Sequence, residues 1–350
     1  MEVMDLLLTE WQRPQPRPAE LVLKQYTRER RYIGGGDRKA LQESLFGLLR
    51  GLGAAKAKCA AVGLPENGHS LCIVHQGMES EMLCEGGKYA PAPLSDVERL
   101  AINTTQSTQH STLPLWLDTL LRAQYGEEAE ALMTALMQPA PLDLRVNRLK
   151  ATREKVQASL TAEGIDTTLI VGLPDGLEAP RHAPIIQSKA YAQGWVEVQD
   201  RGSQAVIQAL LGAGHWALGI GEDITEQVRG GEAVGEWREP RGKVPPQIII
   251  DYCAGGGGKS LALASALGDK AQIIAWDVEP ERLRQLALRA ERAGAKNIRL
   301  WTQAPEKMPE ADLVVLDVPC SGSGTLRRHP DVAWRLTQEK AHEYQLLQMG

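Results

Sequence analysis

Between residues 19 and about 52, Leu21, Tyr26, Leu41, Leu45, Leu48 and Leu49 recur at spacings that place them on one side of a helix. The run Gly34-Gly35-Gly36-Asp37 breaks that pattern, ending one predicted helix and capping the next. The helical pattern continues over residues 55–140, with loops expected at 63–68 and 86–93. PQPRP at 14–18 offers no periodicity, so residues 1–18 are read as a disordered lead-in and 19–138 as an all-helical domain.

Pro139 and Pro141 mark a change of pattern. Residues 142–149, LDLRVNRL, alternate as a strand does. A helix is predicted over 152–162 and further strands over 167–171 and 194–198, giving a small α/β module at 139–200. An amphipathic helix follows at 202–211. Residues 212–246 are rich in Gly, Glu and Arg and carry Trp216 and Trp237. That stretch is long for a connector and is read as an inserted surface loop or hairpin. From residue 248 onward strands at 248–252, 273–276, 298–301 and 313–316 alternate with helices at 260–267 and 279–293. Such alternation predicts a parallel sheet covered on both faces. The fold class is therefore multidomain: an all-α N-terminal domain, a small α/β module, and a C-terminal α/β Rossmann-like sheet over 201–350.

Composition adds less. Five cysteines, Cys59, Cys72, Cys84, Cys253 and Cys320, stand at irregular spacings with no C-x-x-C. That excludes a disulfide framework and a zinc ribbon and points to a reducing, cytoplasmic compartment. No apolar run reaches the ~18 residues that suggest a membrane span, and the N-terminus lacks a basic n-region with a long apolar stretch behind it. The chain is read as a monomer, without metal and without membrane association. Its net charge of -5 hides an asymmetry. Residues 11–60 hold 11 Lys or Arg against 4 Asp or Glu, and residues 61–140 hold 3 against 10. A basic arm can face phosphates, although a solvated helical surface looks the same.

The chemistry concentrates in two motifs. Asp251-Tyr252-Cys253-Ala254-Gly255-Gly256-Gly257-Gly258-Lys259-Ser260 sits where the first parallel strand gives way to a helix. A glycine turn there lets a ligand approach the backbone closely. A P-loop would need a glycine at position 253, which is Cys253, and a dinucleotide fingerprint would need Gly or Ala at position 260, which is Ser260. S-adenosylmethionine has no phosphate and needs neither spacing. It needs the glycine turn and a carboxylate after the second strand for its ribose hydroxyls, and Asp277 stands there. Alone, Asp277 could equally be an N-terminal helix charge before Glu279-Pro280. The second motif, Leu316-Asp317-Val318-Pro319-Cys320-Ser321-Gly322-Ser323-Gly324, puts a cysteine in a glycine-rich loop after a strand. A lone cysteine is usually a small buried hydrophobe, but these neighbours argue for exposure.

Together, DYCAGGGGKS, the AWD ending at Asp277 and LDVPCSGSGTLRRHPDVAWRL resemble the RsmB/Sun family of RNA cytosine-5 methyltransferases. The first matches that family's D-x-C-A-x-x-G-G-K-[ST], the last its D-x-P-C-S-[GA]-x-G-x-x-R-R-x-P-D. LDLRVNRLK at 142–150 resembles the start of the family's small RNA-binding module, and Gln199-Asp200-Arg201-Gly202-Ser203-Gln204 is also similar. The N-terminal helices, especially 37–50, are similar to the NusB-like domain of the bacterial branch.

The resemblance implies methyl transfer from S-adenosylmethionine to carbon 5 of a cytosine in RNA, ribosomal RNA first, through a cysteine–cytosine adduct. Cofactor contacts then fall to Cys253, Ala254, Gly255, Gly256, Gly257, Gly258, Lys259, Asp277 and Asp317. Gln303 stands near the position of an expected acidic residue after the third strand. Arg327, Arg328 and His329 are the candidates for RNA contacts near the site, with Arg145 and Asn147 in the small module; for the latter two a surface strand is an equal reading. Cys320 matches the Pro-Cys cysteine, associated with product release. The family's nucleophile, in a Thr-Cys-Ser motif on the next strand, is not among these 350 residues. Four strands are visible where that family's sheet has seven, so a truncated chain is expected. Cys320 acting as nucleophile, as in DNA cytosine-5 methyltransferases, and an RNA-binding chain without turnover stay open, as does a nucleotide-binding enzyme disfavoured by both failed fingerprints.

Overall fold

The computed structural model describes residues 1–84, 92–104, 112–213 and 246–349. The predicted loop at 86–93 and the insertion at 212–246 lie, apart from their ends, outside the described residues. The chain forms two compact units, residues 1–140 with 319–350, and residues 141–318.

The first unit opens with helices α1 (Glu2–Glu10), α2 (Ala19–Glu29), α3 (Gly35–Ala61), α4 (Gly68–Gln76), α5 (Glu79–Cys84), α6 (Asp96–Asn103), α7 (Leu115–Tyr125) and α8 (Ala129–Met137). Leu45, Leu48, Leu49 and Leu52 form one stripe of α3. It packs on Val3, Met4 and Leu7 of α1, Val22 and Leu23 of α2, and Leu71 and Val74 of α4. The expected lead-in is therefore corrected: residues 2–10 are a helix because Val3, Met4 and Leu7 have a core to enter. Asp5 fastens it further by accepting the Gly68 N–H at 2.6 Å, at the start of α4.

The second unit contains two sheets. In the small module, β1 (Leu142–Val146), α9 (Arg153–Ala162), β2 (Thr168–Leu169), β3 (Gly176–Ala179), α10 (Lys189–Ala192) and β4 (Val196–Val198) follow one another. The sheet is antiparallel in the order β2-β3-β1-β4, and Leu144, Val146, Val156, Leu160, Leu177 and Val196 fill its core. The strand expected over 142–149 stops at Val146 because Asn147 turns the chain. Its side-chain oxygen accepts the Leu149 N–H at 3.2 Å, and its carbonyl accepts the Lys150 N–H at 3.1 Å. The four-residue β3 was not expected; its glycine start and short length give it no periodicity to read.

Then come α11 (Arg201–Ala213), β5 (Ile248–Asp251), α12 (Gly258–Leu267), β6 (Gln272–Ala275), α13 (Pro280–Ala293), β7 (Ile298–Leu300) and β8 (Leu313–Val315). This sheet is parallel throughout, in the order β7-β6-β5-β8. Ile207 and Leu211 of α11, Leu261 and Leu263 of α12, and Leu283 and Leu286 of α13 bury Ile249, Ile273 and Val315 on one face. The winding direction reverses between β5 and β8. In open α/β sheets the carboxyl ends of the strands at such a reversal form the ligand crevice.

Residues 319–350, read from the sequence as the end of the Rossmann-like domain, cluster with the N-terminal helices. They form α14 (Val332–Arg335) and α15 (Gln338–Met349). Leu326, Val332 and Ala333 share a core with Leu113, Leu117, Met133 and Met137. The buried Asp331 carboxylate accepts the Ala19 N–H at the start of α2, 3.0 Å away, and pairs with Arg335 at 3.0 Å. The Trp334 indole donates to the Leu49 carbonyl at 2.9 Å. Among the described residues no helix is long and apolar enough to cross a membrane.

Glu10 supplies a pH signature for this unit. It is 3% exposed and accepts from the Arg17 guanidinium at 2.8 Å and the Arg17 N–H at 3.0 Å. These contacts, the side-chain one first, pull its carboxyl down to about 2. A depressed carboxyl stabilises the fold above its unfolded value and loses that contribution as pH falls toward the folded one. Thermal melts should therefore show stability falling between roughly pH 4.5 and 2. Glu10→Gln should lower the neutral-pH midpoint and flatten that decline; parallel curves for the two proteins would contradict the assignment.

Candidate functional site

The carboxyl end of β5 leads directly into the four glycines. Tyr252 N–H donates to the Val315 carbonyl of β8 at 3.0 Å, while Ala254 N–H donates to the Trp276 carbonyl, beyond β6, at 2.9 Å. The chain thus leaves the sheet at the winding reversal. Gly257, with φ +84°, is the N-cap of α12, and Gly255 has φ +52°. A Cβ on Gly257 would lie 2.1 Å from Leu286 Cδ1. Only glycine tolerates both that dihedral and that approach of α13. α12 therefore starts tight against α13, with its first N–H groups left unpaired by the helix itself.

Carboxylates dominate the surroundings. Asp277 is buried, and its two oxygens accept the N–H groups of Gly255 at 2.8 Å and Glu279 at 2.9 Å. Each oxygen keeps acceptor capacity for a further donor. Asp251 is fully buried; one oxygen accepts from the Ser260 hydroxyl at 2.6 Å, and the other, Oδ1, has no partner. Burial is the largest influence on Asp251 and raises its carboxyl above the usual range. Lys259 is paired with Asp317. Burial first, then the charges of Asp277, Asp251 and Asp317, push the Cys253 thiol up, so it is held as a thiol rather than a thiolate.

This donor set discriminates among the three candidate ligands. A triphosphate or dinucleotide would meet Asp277 and Asp317, with Asp251 buried behind them, and a lysine already paired with Asp317. A ligand with a sulfonium, an ammonium and ribose hydroxyls meets carboxylate acceptors of the right charge, and a turn with no Cβ to obstruct it. The cradle fits S-adenosylmethionine.

The predicted residues do not all gather here. Cys253, Ala254, Gly255, Gly256, Gly257, Gly258, Lys259, Asp277 and Asp317 share the carboxyl edge of the parallel sheet. Gln303 lies exposed in the loop after β7. Arg145 and Asn147, offered as RNA contacts, are buried inside the second unit. Arg145 donates from Nε to the Gln199 side-chain oxygen at 2.6 Å, and burial brings its guanidinium down to about 10. Asn147 donates to the carbonyls of Gly194 and Ala293, both at 2.8 Å. Alternation along LDLRV marked a strand but could not show that both its faces are covered.

Cys320, Arg327, Arg328 and His329 belong to the first unit. Cys320 is exposed. The Arg327 guanidinium donates to the carbonyls of Pro139, at 3.0 Å, and Gln138, at 3.4 Å, just past the end of α8. A cation near the carbonyl end of a helix is favourable, and these two bonds tie Arg327 to the segment that follows α8. Arg328 and His329 are half-buried. Asp251, Ser260 and Arg289 were missed as site residues. Asp251 and Ser260 lay inside the first motif, and the i, i+9 spacing that joins them across a strand–turn–helix was the available signal.

Fold and cradle together define a Rossmann-like sheet whose turn fits S-adenosylmethionine. Residues 242–350 match the family model described as 16S rRNA methyltransferase RsmB/F, and residues 113–185 match the RsmF/B-like ferredoxin-like domain. The chain is 35% identical, over 250 residues, to a probable ribosomal RNA small subunit methyltransferase B of Synechocystis, covering 69% of this chain and 48% of that protein. It is 28% identical to the ribosomal RNA small subunit methyltransferase B of an Escherichia coli strain, covering 63% and 45%. The chain spans about half the length of the curated relatives it matches. Two solved structures, each 20% identical, share the fold. One is PH0851, with a TM-score of 0.65, covering 99% of this chain and 79% of that one. The other is NSun6 from Pyrococcus horikoshii with SFG, with a TM-score of 0.52, covering 67% and 77%. These matches support an RsmB-type RNA methyltransferase with S-adenosylmethionine as cofactor.

Gly257→Ala tests the geometry of the turn. Left-handed strain of about 1–2 kcal/mol and overpacking of about 1–3 kcal/mol should lower stability in urea melts by roughly their sum. Because the clash is with Leu286, a double-mutant cycle with Leu286→Ala should be non-additive, by about 0.5–3 kcal/mol. Strict additivity would mean that this contact does not set the turn.

Proposed function

We propose that the protein to which this chain belongs transfers a methyl group from S-adenosylmethionine to carbon 5 of cytosine in small-subunit ribosomal RNA, in the cytoplasm. The observation that carries the reading is the carboxylate-lined glycine turn at the winding reversal, whose lysine is already paired. The names of the curated relatives supply the RNA class. The similarity of residues 37–50 to a NusB-like domain, and the basic balance of residues 11–60, support a helical unit that meets RNA.

S-adenosylmethionine supplies an electrophilic methyl group. Asp277 would accept the ribose hydroxyls, and the glycine turn would admit the ligand to the backbone. Carbon 5 of cytosine is a poor nucleophile until a thiolate adds to carbon 6 and makes it enamine-like. After methylation carbon 5 gives up its proton to a base, the carbon–sulfur bond breaks, and the thiolate departs. The target base leaves its stack to reach such a site. Of this chain's cysteines, Cys59 and Cys84 are buried, Cys72 is half-buried on α4, Cys253 is held protonated, and Cys320 is exposed in the Pro-Cys position. Cys320 is thus the cysteine assigned to the base, with Arg328 and His329 as neighbouring RNA contacts.

The test is incubation with small-subunit ribosomal RNA and methyl-labelled S-adenosylmethionine, followed by nucleoside mass spectrometry. Label in 5-methylcytidine is expected. Cys320→Ala should disturb product formation or release and leave cofactor affinity unchanged. Label in another nucleoside would overturn the assignment to carbon 5. RNA retention without any transfer would favour a binding role.

A further inference from the structure

The family pattern quoted above fixes two glycines in the turn, the positions of Gly257 and Gly258. This chain has glycine at both variable positions as well, giving four in a row. Glycine peptides have more conformational freedom than any others, and a turn that must present one backbone surface to a ligand cannot keep that freedom.

Four anchors remove it, one at each glycine. Gly255 N–H donates to Asp277, and Gly257 N–H donates to the Ala254 carbonyl at 2.8 Å. These two are internal to the parallel sheet and its loops. The other two are backed by the small antiparallel module, one through Arg289 of α13 and one through Gln199, which follows β4. The Gly256 carbonyl accepts from Arg289 Nη1. The rest of that guanidinium is held by Glu197 on β4, at 2.9 and 3.2 Å. Glu197 is 2% exposed and also pairs with Arg292. The Gly258 carbonyl accepts from the Gln199 side-chain amide at 3.1 Å. That amide has one usable orientation, because Arg145 Nε occupies its oxygen at 2.6 Å. Among the described residues Arg145 has no carboxylate partner, and its buried Nη1 is left without a hydrogen bond.

We propose that Gln199 and Arg289 are positioning residues for S-adenosylmethionine, and that Arg145 and Glu197 hold them in place. The small module would then serve as the rear wall of the cofactor turn, in addition to any contact with RNA. The proposal rests on the cofactor reading above. Neither residue touches the ligand. They act by keeping the Gly256 and Gly258 carbonyls turned away from it, so that the competent turn is the populated one.

The same module supplies an internal control. Lys150 donates to the Arg292 carbonyl at 2.6 Å and caps the end of α13, but reaches no glycine of the turn. Gln199→Ala, Arg289→Met and Lys150→Met would be compared in the 350-residue chain by calorimetric titration with S-adenosylmethionine. Thermal melts and hydrogen exchange of residues 253–260 without ligand would be run alongside. Affinity falls in proportion to the competent fraction, so Gln199→Ala and Arg289→Met should weaken binding by about tenfold or more. They should also speed exchange across the turn. Lys150→Met should lower the melting temperature but leave affinity and turn exchange unchanged, and Arg289→Lys should restore part of the loss. Equal affinity and equal exchange in all variants would overturn the proposal. So would losses that simply track melting temperature in all three. Failure of the unsubstituted chain to bind would sink the cofactor reading instead, and the exchange measurement would still decide whether the turn is anchored from the module.

Discussion

The backbone freedom of four consecutive glycines is the constraint on which the second unit is built. A ligand that lies against main chain needs a turn without Cβ atoms, and such a turn is floppy unless its amides and carbonyls are claimed. Here Leu286 is packed so close to Gly257 that no other residue fits, and Asp277 and Ala254 take two of the N–H groups. Arg289 and Gln199 reach two of the carbonyls. The buried polar groups behind them, Glu197 and Arg145, would be a liability elsewhere. They are intelligible as the means by which an antiparallel module stiffens a parallel-sheet turn.

Electrostatics then select what the turn receives. Asp251, Asp277 and Asp317 act together on Cys253, and Lys259 is neutralised by Asp317. Phosphate ligands use helix N-termini of the same kind, but with an unopposed lysine or a bare dipole. Surrounding the N-terminus of α12 with carboxylates converts an anion site into one for a cationic, hydroxyl-bearing ligand.

Much of this was legible in the sequence because it is local. The glycine run, Asp277 after the second strand and the alternation of strands with helices depend on neighbours a few residues apart, and the structure has them at the predicted places. What could not be read depends on partners far along the chain. Arg145 and Asn147 look like exposed strand residues until Gln199, Gly194 and Ala293 are brought to them. That Arg327 also ties down the segment after α8 depends on the carbonyls of Gln138 and Pro139, far from it in sequence. The helix at residues 2–10 carries its apolar residues, Val3, Met4 and Leu6 to Leu8, in too short a run to show a period, and is stable because α3 and α4 offer Val3, Met4 and Leu7 a surface. The motif ending in Asp331 and Trp334 reads as catalytic, yet those two side chains hold helices α2 and α3.

The central claim is that this turn is built for S-adenosylmethionine and not for a phosphate-bearing nucleotide. Equilibrium dialysis of the 350-residue chain against labelled S-adenosylmethionine, with ATP or NAD in excess as competitors, tests it most directly. The account predicts one molecule bound per chain, undisturbed by either competitor and displaced by S-adenosylhomocysteine. Displacement by ATP or NAD, or retention of labelled ATP in place of S-adenosylmethionine, would contradict it.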